Sequence, residues 1–255
     1  MLLAIDLGNT QTHIGMFRGD QLVENWRLAT VRETTGDELA TLLVSLLELR
    51  GLKLGDVDAA ILSSVVPQLT PEYELLAERY LDGDLLVVGP GMKTGMAIRI
   101  ERPQELGTDR LANAVAAFEK CGGACVVADF GTTINFDAVS AEGELLGAAI
   151  APGVDISLEA LHQRTAKLPK VELSEPEAAI GRDTFAAVRS GVVYGFAGCV
   201  DGIVSRIRDE LGDEATAIAT GGLAAAITPF CEEIDEVDDF LTLTGLRLIW
   251  DRNQG

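Results

Sequence analysis

Two stretches of this chain say nearly the same thing: "LLAIDLGNT" at residues 2–10 and "CVVADFGTT" at residues 125–133. Each is a short apolar run that ends on an aspartate. Glycine follows two residues later, and then polar or hydroxyl residues. A shift of 123 residues places Asp6 on Asp129, Gly8 on Gly131, Asn9 on Thr132 and Thr10 on Thr133. A short apolar run bounded by turn residues reads as a buried strand. Each copy is therefore a strand that turns back into a second one, with a carboxylate at the turn. Duplication at this distance is a repeat of whole domains, not the short period of a solenoid.

The elements around the two copies repeat as well. In the first half, residues 2–7, "THIGMF" and "LVENWRLAT" read as three strands, with Gly19 and Asp20 supplying a tight turn. "TGDELATLLVSLLELRGL" has Leu39, Leu42, Leu43, Leu46 and Leu47 at helical spacing and is closed by Gly51. "DAAILSSVV" is a strand. "TPEYELLAERYL" is a helix with Thr70 as its cap and Pro71 in the first turn. "DLLVVGPG" is another strand, so the order is βββαβαβ. After a helix around "RLANAVAAFEK" the pattern restarts with the strands "ACVVADFG", "INFDAVSA" and "ELLGAAIAPG". The helix "DISLEALHQRTAKL" comes next, then a long helical pattern at 184–211 that contains four glycines. The strand "ATAIATGGL" and a closing helix "TGLRLIWDRN" end the chain. No Pro- or Ser-rich linker separates the halves, which places their boundary in the helical stretch near 111–122. The expected domains are residues 1–118 and 119–255.

Composition limits what such a chain can bind. Of the 255 residues, 47% are hydrophobic, enough for a globular protein with real cores. No apolar run is read as long enough to cross a bilayer. The opening "MLLAIDLGNT" lacks a basic region and a cleavage site, and it reads as a strand rather than a signal peptide. The net charge of −20 opposes binding to nucleic acid or to anionic membranes. A phosphate site on this protein must then use backbone N–H groups, helix N-termini and cations. Cys121, Cys125, Cys199 and Cys231 form no C-x-x-C pair and read as free thiols in a reducing cytoplasm. His13 and His162 are the only histidines, which argues against a histidine-rich zinc site.

A hairpin turn built from glycine and hydroxyl residues brings several N–H groups together and makes an anion-binding concavity. Glycine lets the backbone approach the anion closely. The neighbouring aspartate repels phosphate, so it acts through a cation or by positioning a water or hydroxyl. One Asp-x-Gly is an ordinary turn; two in the same strand context point to a clamp on a polyphosphate. "IATGGLA" adds a third feature. Gly221-Gly222 either let a flat nucleotide lie against backbone or simply form a helix-entry turn.

These elements together resemble the acetate and sugar kinase, heat-shock cognate and actin superfamily. In order along the chain, "IDLGNT", "SSVVPQLTP", "VVGPGMKTGM", "ELGTDRLANAVAA", "DFGTT", "EGELLGAAIAPG", "AKLPKVEL", "SGVVYGFAGCVDGI" and "ATGGLA" resemble the type III pantothenate kinases end to end. The resemblance implies an α/β, duplicated ribonuclease H-like (actin-like ATPase) fold. Its two lobes would each have a mixed sheet flanked by helices and would hold ATP between them. It implies transfer of the ATP γ-phosphate to the primary hydroxyl of pantothenate, the first step of coenzyme A synthesis, in a cytoplasmic homodimer without nucleic acid or membrane. The alternative is a non-catalytic member that acts as a transcription accessory factor.

By the same resemblance, Asp6, Leu7, Gly8, Asn9, Thr10, Gln11, Thr12 and His13 form the first phosphate loop. Asp6 would also hold magnesium through phosphate or water. Thr132 belongs to the second phosphate loop, and Gly221 and Gly222 to the nucleotide site. Asp129 is the implied ligand of potassium or ammonium. Gly107, Thr108, Asp109 and Arg110 form the implied pantothenate site, with Asp109 as catalytic base. Thr184 would reach substrate from the partner subunit. The chemistry of the residues agrees. Arg110 offers a planar bidentate donor for a carboxylate, and a positioned Asp109 can take the proton of a primary alcohol. The second motif departs from the usual pattern at Ile134 and Asn135. Either Ile134 replaces a polar contact, or strand alternation turns it to the core and leaves the polar side to Asn135.

Overall fold

The computed structural model describes residues 1–165, 171–212 and 214–254. By contacts the chain forms two compact units. The first contains Met1–Gly95, Gln104–Ala116 and Thr242–Gly255; the second contains Met96–Pro103 and Ala117–Leu241.

In the first unit β1 (Leu2–Leu7), β2 (Gln11–Arg18) and β3 (Gln21–Ala29) form an antiparallel meander. The helix α1 (Gly36–Glu48) leads to β4 (Ala59–Ser64), which lies parallel to β1. The helix α2 (Thr70–Tyr80) leads to β5 (Leu85–Val87), parallel to β4, so the sheet order is β3-β2-β1-β4-β5. Leu3, Ile5 and Leu7 of β1 alternate onto one face and pack with Leu39, Leu43 and Leu47 of α1 and Tyr73 and Leu76 of α2. A capping box starts α1: the Thr35 hydroxyl accepts from Glu38 N (3.3 Å) and the Glu38 carboxylate accepts from Thr35 N (2.9 Å). At α2 the sequence expectation fails by one residue. Leu69 takes the cap position and Thr70 is the first helical residue, its hydroxyl donating to Ser64 Oγ at 2.9 Å.

The short strand β6 (Ala97–Ile98) precedes α3 (Thr108–Cys121). In the second unit β7 (Cys125–Phe130), β8 (Thr133–Val139) and β9 (Glu144–Pro152) repeat the meander. The helices α4 (Val154–Arg164) and α5 (Thr184–Leu211) follow, then β10 (Thr216–Thr220), the single turn α6 (Ala224–Ile227) and β11 (Glu236–Val237). The sheet order is β11-β10-β7-β8-β9-β6. With the edge strand β6 set aside, its strands take the third-second-first-fourth-fifth order of the first sheet. The ribonuclease H-like fold is thus present twice. Helix α7 (Leu241–Asn253) closes the chain within the first unit. It packs so tightly on α3 that a Cβ at Gly245 would lie 1.9 Å from the Ala112 carbonyl oxygen.

Two edge strands, β6 and β11, carry no sequence signal, because two residues are too few for any period. The expected helix at 155–168 ends at Arg164, and residues 166–168 of it lie outside the described residues, as does the start of "AKLPKVEL". The four glycines at 184–211 do not break α5, which runs unbroken for 28 residues. That length corrects the expectation about apolar runs. By length and composition α5 is long and apolar enough to cross a bilayer. Its stripe Val193, Ala197, Val200 and Val204 is buried, however, and Ala197, Val200 and Val204 pack with Ile134 and Phe136 of β8, which makes α5 a sheet-covering helix.

Candidate active site

Asp6 is the last residue but one of β1, with His13 opposite it on β2 and Ser63 beside it on β4. This is the carboxyl end of two adjacent parallel strands, where α/β sheets place their ligands. The hairpin beyond it is held by Gly8 N donating to Gln11 O at 3.1 Å, and a Cβ at Gly8 would lie 2.7 Å from that oxygen. Glycine is therefore required for the turn to close. Asn9, Thr10 and Gln11 are exposed at the tip. Leu7 is core and can offer only backbone to a ligand. Thr12 is 2% exposed. Its hydroxyl pairs with Thr30 Oγ1 at 3.0 Å, and Thr30 Oγ1 donates to Gly8 O at 2.8 Å. Thr12 thus braces the loop from beneath, through Thr30, a residue that no sequence motif singled out.

The segment Gly107–Arg110 lies at the start of α3 in the same unit. Thr108 Oγ1 is 2.9 Å from Ser63 Oγ and accepts from Ser64 N at 3.1 Å, which docks the helix start onto the end of β4. Asp109 follows at once. Its Oδ1 accepts from Arg110 N at 2.8 Å and folds over Gly107, where a Cβ would lie 2.3 Å away. Burial raises the Asp109 pKa above the ordinary carboxylate value, against the opposing pull of the Arg110 N–H and the Arg110 charge. A carboxylate so placed binds a proton more readily than one in water, as a general base for an alcohol requires.

In the second unit Asp129 is the last residue but one of β7, with Asn135 opposite it on β8 and Thr220 beside it on β10. The turn is held by Gly131 N donating to Thr133 O at 3.0 Å, with Thr132 exposed at its tip. Gly221, at φ +95°, presses on this strand: a Cβ there would lie 2.6 Å from Asp129 Oδ1. Gly222 is exposed beside it. The structure therefore groups Asp129 with Gly221, the two features that lie farthest apart in this half of the sequence reading.

The register also settles the Ile134 question. Asp6 pairs with His13 and Leu7 with Thr12, whereas Asp129 pairs with Asn135 and Phe130 with Ile134. The second turn is one residue shorter. Beyond it the equivalent of buried Thr12 is Ile134, fully buried beside Phe136, and the equivalent of His13 is Asn135. Ile134 faces the core, as alternation allows. Thr184 stands exposed at the start of α5 and lines an open depression of about 550 Å³ with Gly181, Arg182, Asp183, Ala187 and Val188.

A ribonuclease H-like fold doubled in this way, with a glycine-turned hairpin in each copy and a buried carboxylate docked beside the first, is the architecture of the actin-like ATPase class, which includes phosphotransferases. Known proteins give the same class. Residues 2–206 match the family model described as type III pantothenate kinase. A type III pantothenate kinase of Pelobacter propionicus is 50% identical over 254 residues, covering all of both chains. One of Moorella thermoacetica is 48% identical, covering 99% of this chain and all of its own. The chain belongs to the type III pantothenate kinase family. Among solved structures, a Sinorhizobium meliloti protein provisionally described as a 2-dehydro-3-deoxygalactonokinase aligns with TM-score 0.59 at 13% identity, covering 98% of each chain. A Campylobacter jejuni protein provisionally described as a Baf family transcriptional activator aligns with TM-score 0.61 at 19% identity, also covering 98% of each. At these identities the two structures speak for the fold alone.

Proposed function

We propose that this protein transfers the γ-phosphoryl group of ATP to the primary hydroxyl of pantothenate, giving 4′-phosphopantothenate and opening coenzyme A biosynthesis in the cytoplasm. The observation that carries the substrate assignment is the full-length match to type III pantothenate kinases at close to half identity. The positions of the residues support the chemistry assigned to them. With Asp109 Oδ1 tied to the Arg110 N–H, Oδ2 is the oxygen presented to the hydroxyl, and it takes the proton as the new P–O bond forms. Arg110 pairs with the pantothenate carboxylate. Gly107 leaves room for the Asp109 carboxylate, and Thr184 contributes to the substrate pocket of a partner subunit.

The hairpin at Asp6–His13 binds the phosphates through its backbone N–H groups, as does Thr132 in the second hairpin, and Gly221-Gly222 accommodate the nucleotide. Among the described residues no group of three or more His, Cys, Asp or Glu is placed to cage a metal ion. Magnesium needs no such cage, since it binds through one or two carboxylates together with substrate phosphates and water; Asp6 fits that part. Asp129, whose Oδ1 lies beside Gly221, is assigned to the potassium or ammonium ion. When bound, these cations neutralise charge on the phosphates.

The test is direct. Purified protein given ATP, magnesium, potassium and pantothenate is expected to form phosphopantothenate, measured by mass spectrometry. Replacing potassium by sodium is expected to lower the rate at least tenfold. A protein that binds nucleotide but leaves pantothenate unchanged would point instead to an accessory role.

We propose a homodimer built on α5. Gly191, Gly195 and Gly198 have nothing within 4 Å of an added Cβ, and Phe185 (53% exposed) and Tyr194 (39%) stand on the same helix. A groove of glycines lets the same helix of a second copy approach closely, and the aromatic rings flank it. Leucine at position 195 is the better helix former by about 1 kcal/mol, and its Cβ has nothing beyond its own helix within 4 Å. Gly195→Leu is therefore expected to keep the fold and to halve the mass seen by light scattering. An unchanged dimer mass would rule out this face.

A further inference from the structure

We infer that Ser63, Ser64 and Thr108 form a hydroxyl clamp that positions Asp109, so that Thr108 serves the reaction as a positioning residue and not as a contact to substrate. The inference deepens the kinase reading and rests on it for its effect on rate.

Ser63 is fully buried at the carboxyl end of β4. A hydroxyl buried there needs a partner, since leaving it unsatisfied away from water is costly; its partner is Thr108 Oγ1 at 2.9 Å. Thr108 Oγ1 also accepts from Ser64 N at 3.1 Å and reaches Ser64 O at 3.5 Å. A hydroxyl has one donor and two acceptor sites. Thr108 Oγ1 therefore accepts from Ser64 N and shares one proton with Ser63 Oγ, so two of its three sites are engaged within the protein and the hydroxyl is held on the strand end. Ser64 Oγ is held in turn, accepting from Val66 N at 3.2 Å and from Thr70 Oγ1 at 2.9 Å.

These bonds tie three elements of one unit together. Ser63 sits beside Asp6 in the β1–β4 register, and Val65 N donates to Leu7 O at 3.1 Å, extending that pairing past the strand ends. Thr108 is covalently next to Asp109, and Gly107 lies 3.6 Å, by its added Cβ, from Val65 Cγ1. The first turn of α3 is thus fixed against the strand that carries the neighbour of Asp6. A misplacement of about 1 Å in a reacting group lowers a rate on the order of a hundredfold. Docking the residue before the base on a rigid strand end prevents such a shift.

The experiment compares Thr108→Val, which keeps the shape and removes the hydroxyl, with Thr108→Ser, which keeps the hydroxyl. Ser63→Ala probes the same bond from the other side. Thr108→Val and Ser63→Ala are each expected to lower kcat for pantothenate phosphorylation about 10- to 100-fold, with KM for ATP within about twofold of wild type. Thr108→Ser is expected to recover kcat to within about threefold. Hydrogen exchange of the Asp109 and Arg110 amides is expected to quicken in Thr108→Val and Ser63→Ala but not in Thr108→Ser. Wild-type kcat and exchange in folded Thr108→Val, or equal impairment of the Val and Ser variants, would overturn the inference. A wild-type protein inactive on pantothenate would overturn the substrate reading instead, and the exchange measurement would still decide the clamp.

Discussion

Asp109→Asn is expected to lower kcat by about a hundred- to ten-thousand-fold, the range that general base catalysis supplies, while ATP affinity stays within about twofold. Asparagine keeps the volume and an oxygen to accept the Arg110 N–H, but it cannot take a proton. The same substitution is expected to raise the melting temperature at pH 7.5. Burial lifts the Asp109 pKa in the folded protein, so the folded state prefers the protonated carboxyl. That contribution is fully present below the ordinary carboxylate pKa and is lost as pH rises through the folded value. At neutral pH the ionised Asp109 therefore lowers stability, and a neutral amide relieves it. The gain should shrink as the melts are repeated towards pH 4. A variant that is inactive yet destabilised at neutral pH would contradict the burial of this carboxylate as the cause of its raised pKa.

Gly221→Ala is expected to damage the second unit in two ways. Its φ of +95° lies in the region that side chains disfavour, a strain of about 1–3 kcal/mol. The new methyl would also sit 2.6 Å from Asp129 Oδ1 and 2.7 Å from the Phe130 backbone. The backbone cannot yield, because β7 is hydrogen-bonded on both sides, to β8 and to β10. The Asp129 carboxylate must turn away. The melting temperature should fall by several degrees, at roughly 2–4 °C per kcal/mol for a chain of this size. Activation by potassium should weaken at least tenfold in an assay titrated with the ion. Gly55→Ala, at an exposed position in open space, serves as the control and should change neither. Full potassium response in Gly221→Ala would remove Asp129 from the cation site.

Much of this fold is legible in the order of residues, because burial on one side forces periodicity. Leu39, Leu43 and Leu47 mark α1, and "LLAIDL" and "CVVADF" mark two central strands whose neighbours cover both faces. The same period holds through α5. Its four glycines lower helix propensity, yet the stripe Val193, Ala197, Val200 and Val204 lies against the sheet, and packing outweighs propensity. Thr70 reads as a cap, but its hydroxyl bonds to Ser64 Oγ, a partner six residues back in the chain that only the fold brings within reach.

Asp109 is singled out only by the resemblance of its motif to a known family; by itself the sequence determined the duplication and the pair of Asp-x-Gly hairpins. These are local facts, carried by spacing along the chain. Tertiary structure alone decided that the second hairpin is one residue shorter, so that Ile134 takes the buried place of Thr12. It alone set Gly221 against Asp129 and Thr108 against Ser63, since strand register and helix docking bring together residues that no period connects. A carboxylate's pKa likewise depends on what surrounds it, and for Asp109 those surroundings form only when α3 docks on β4.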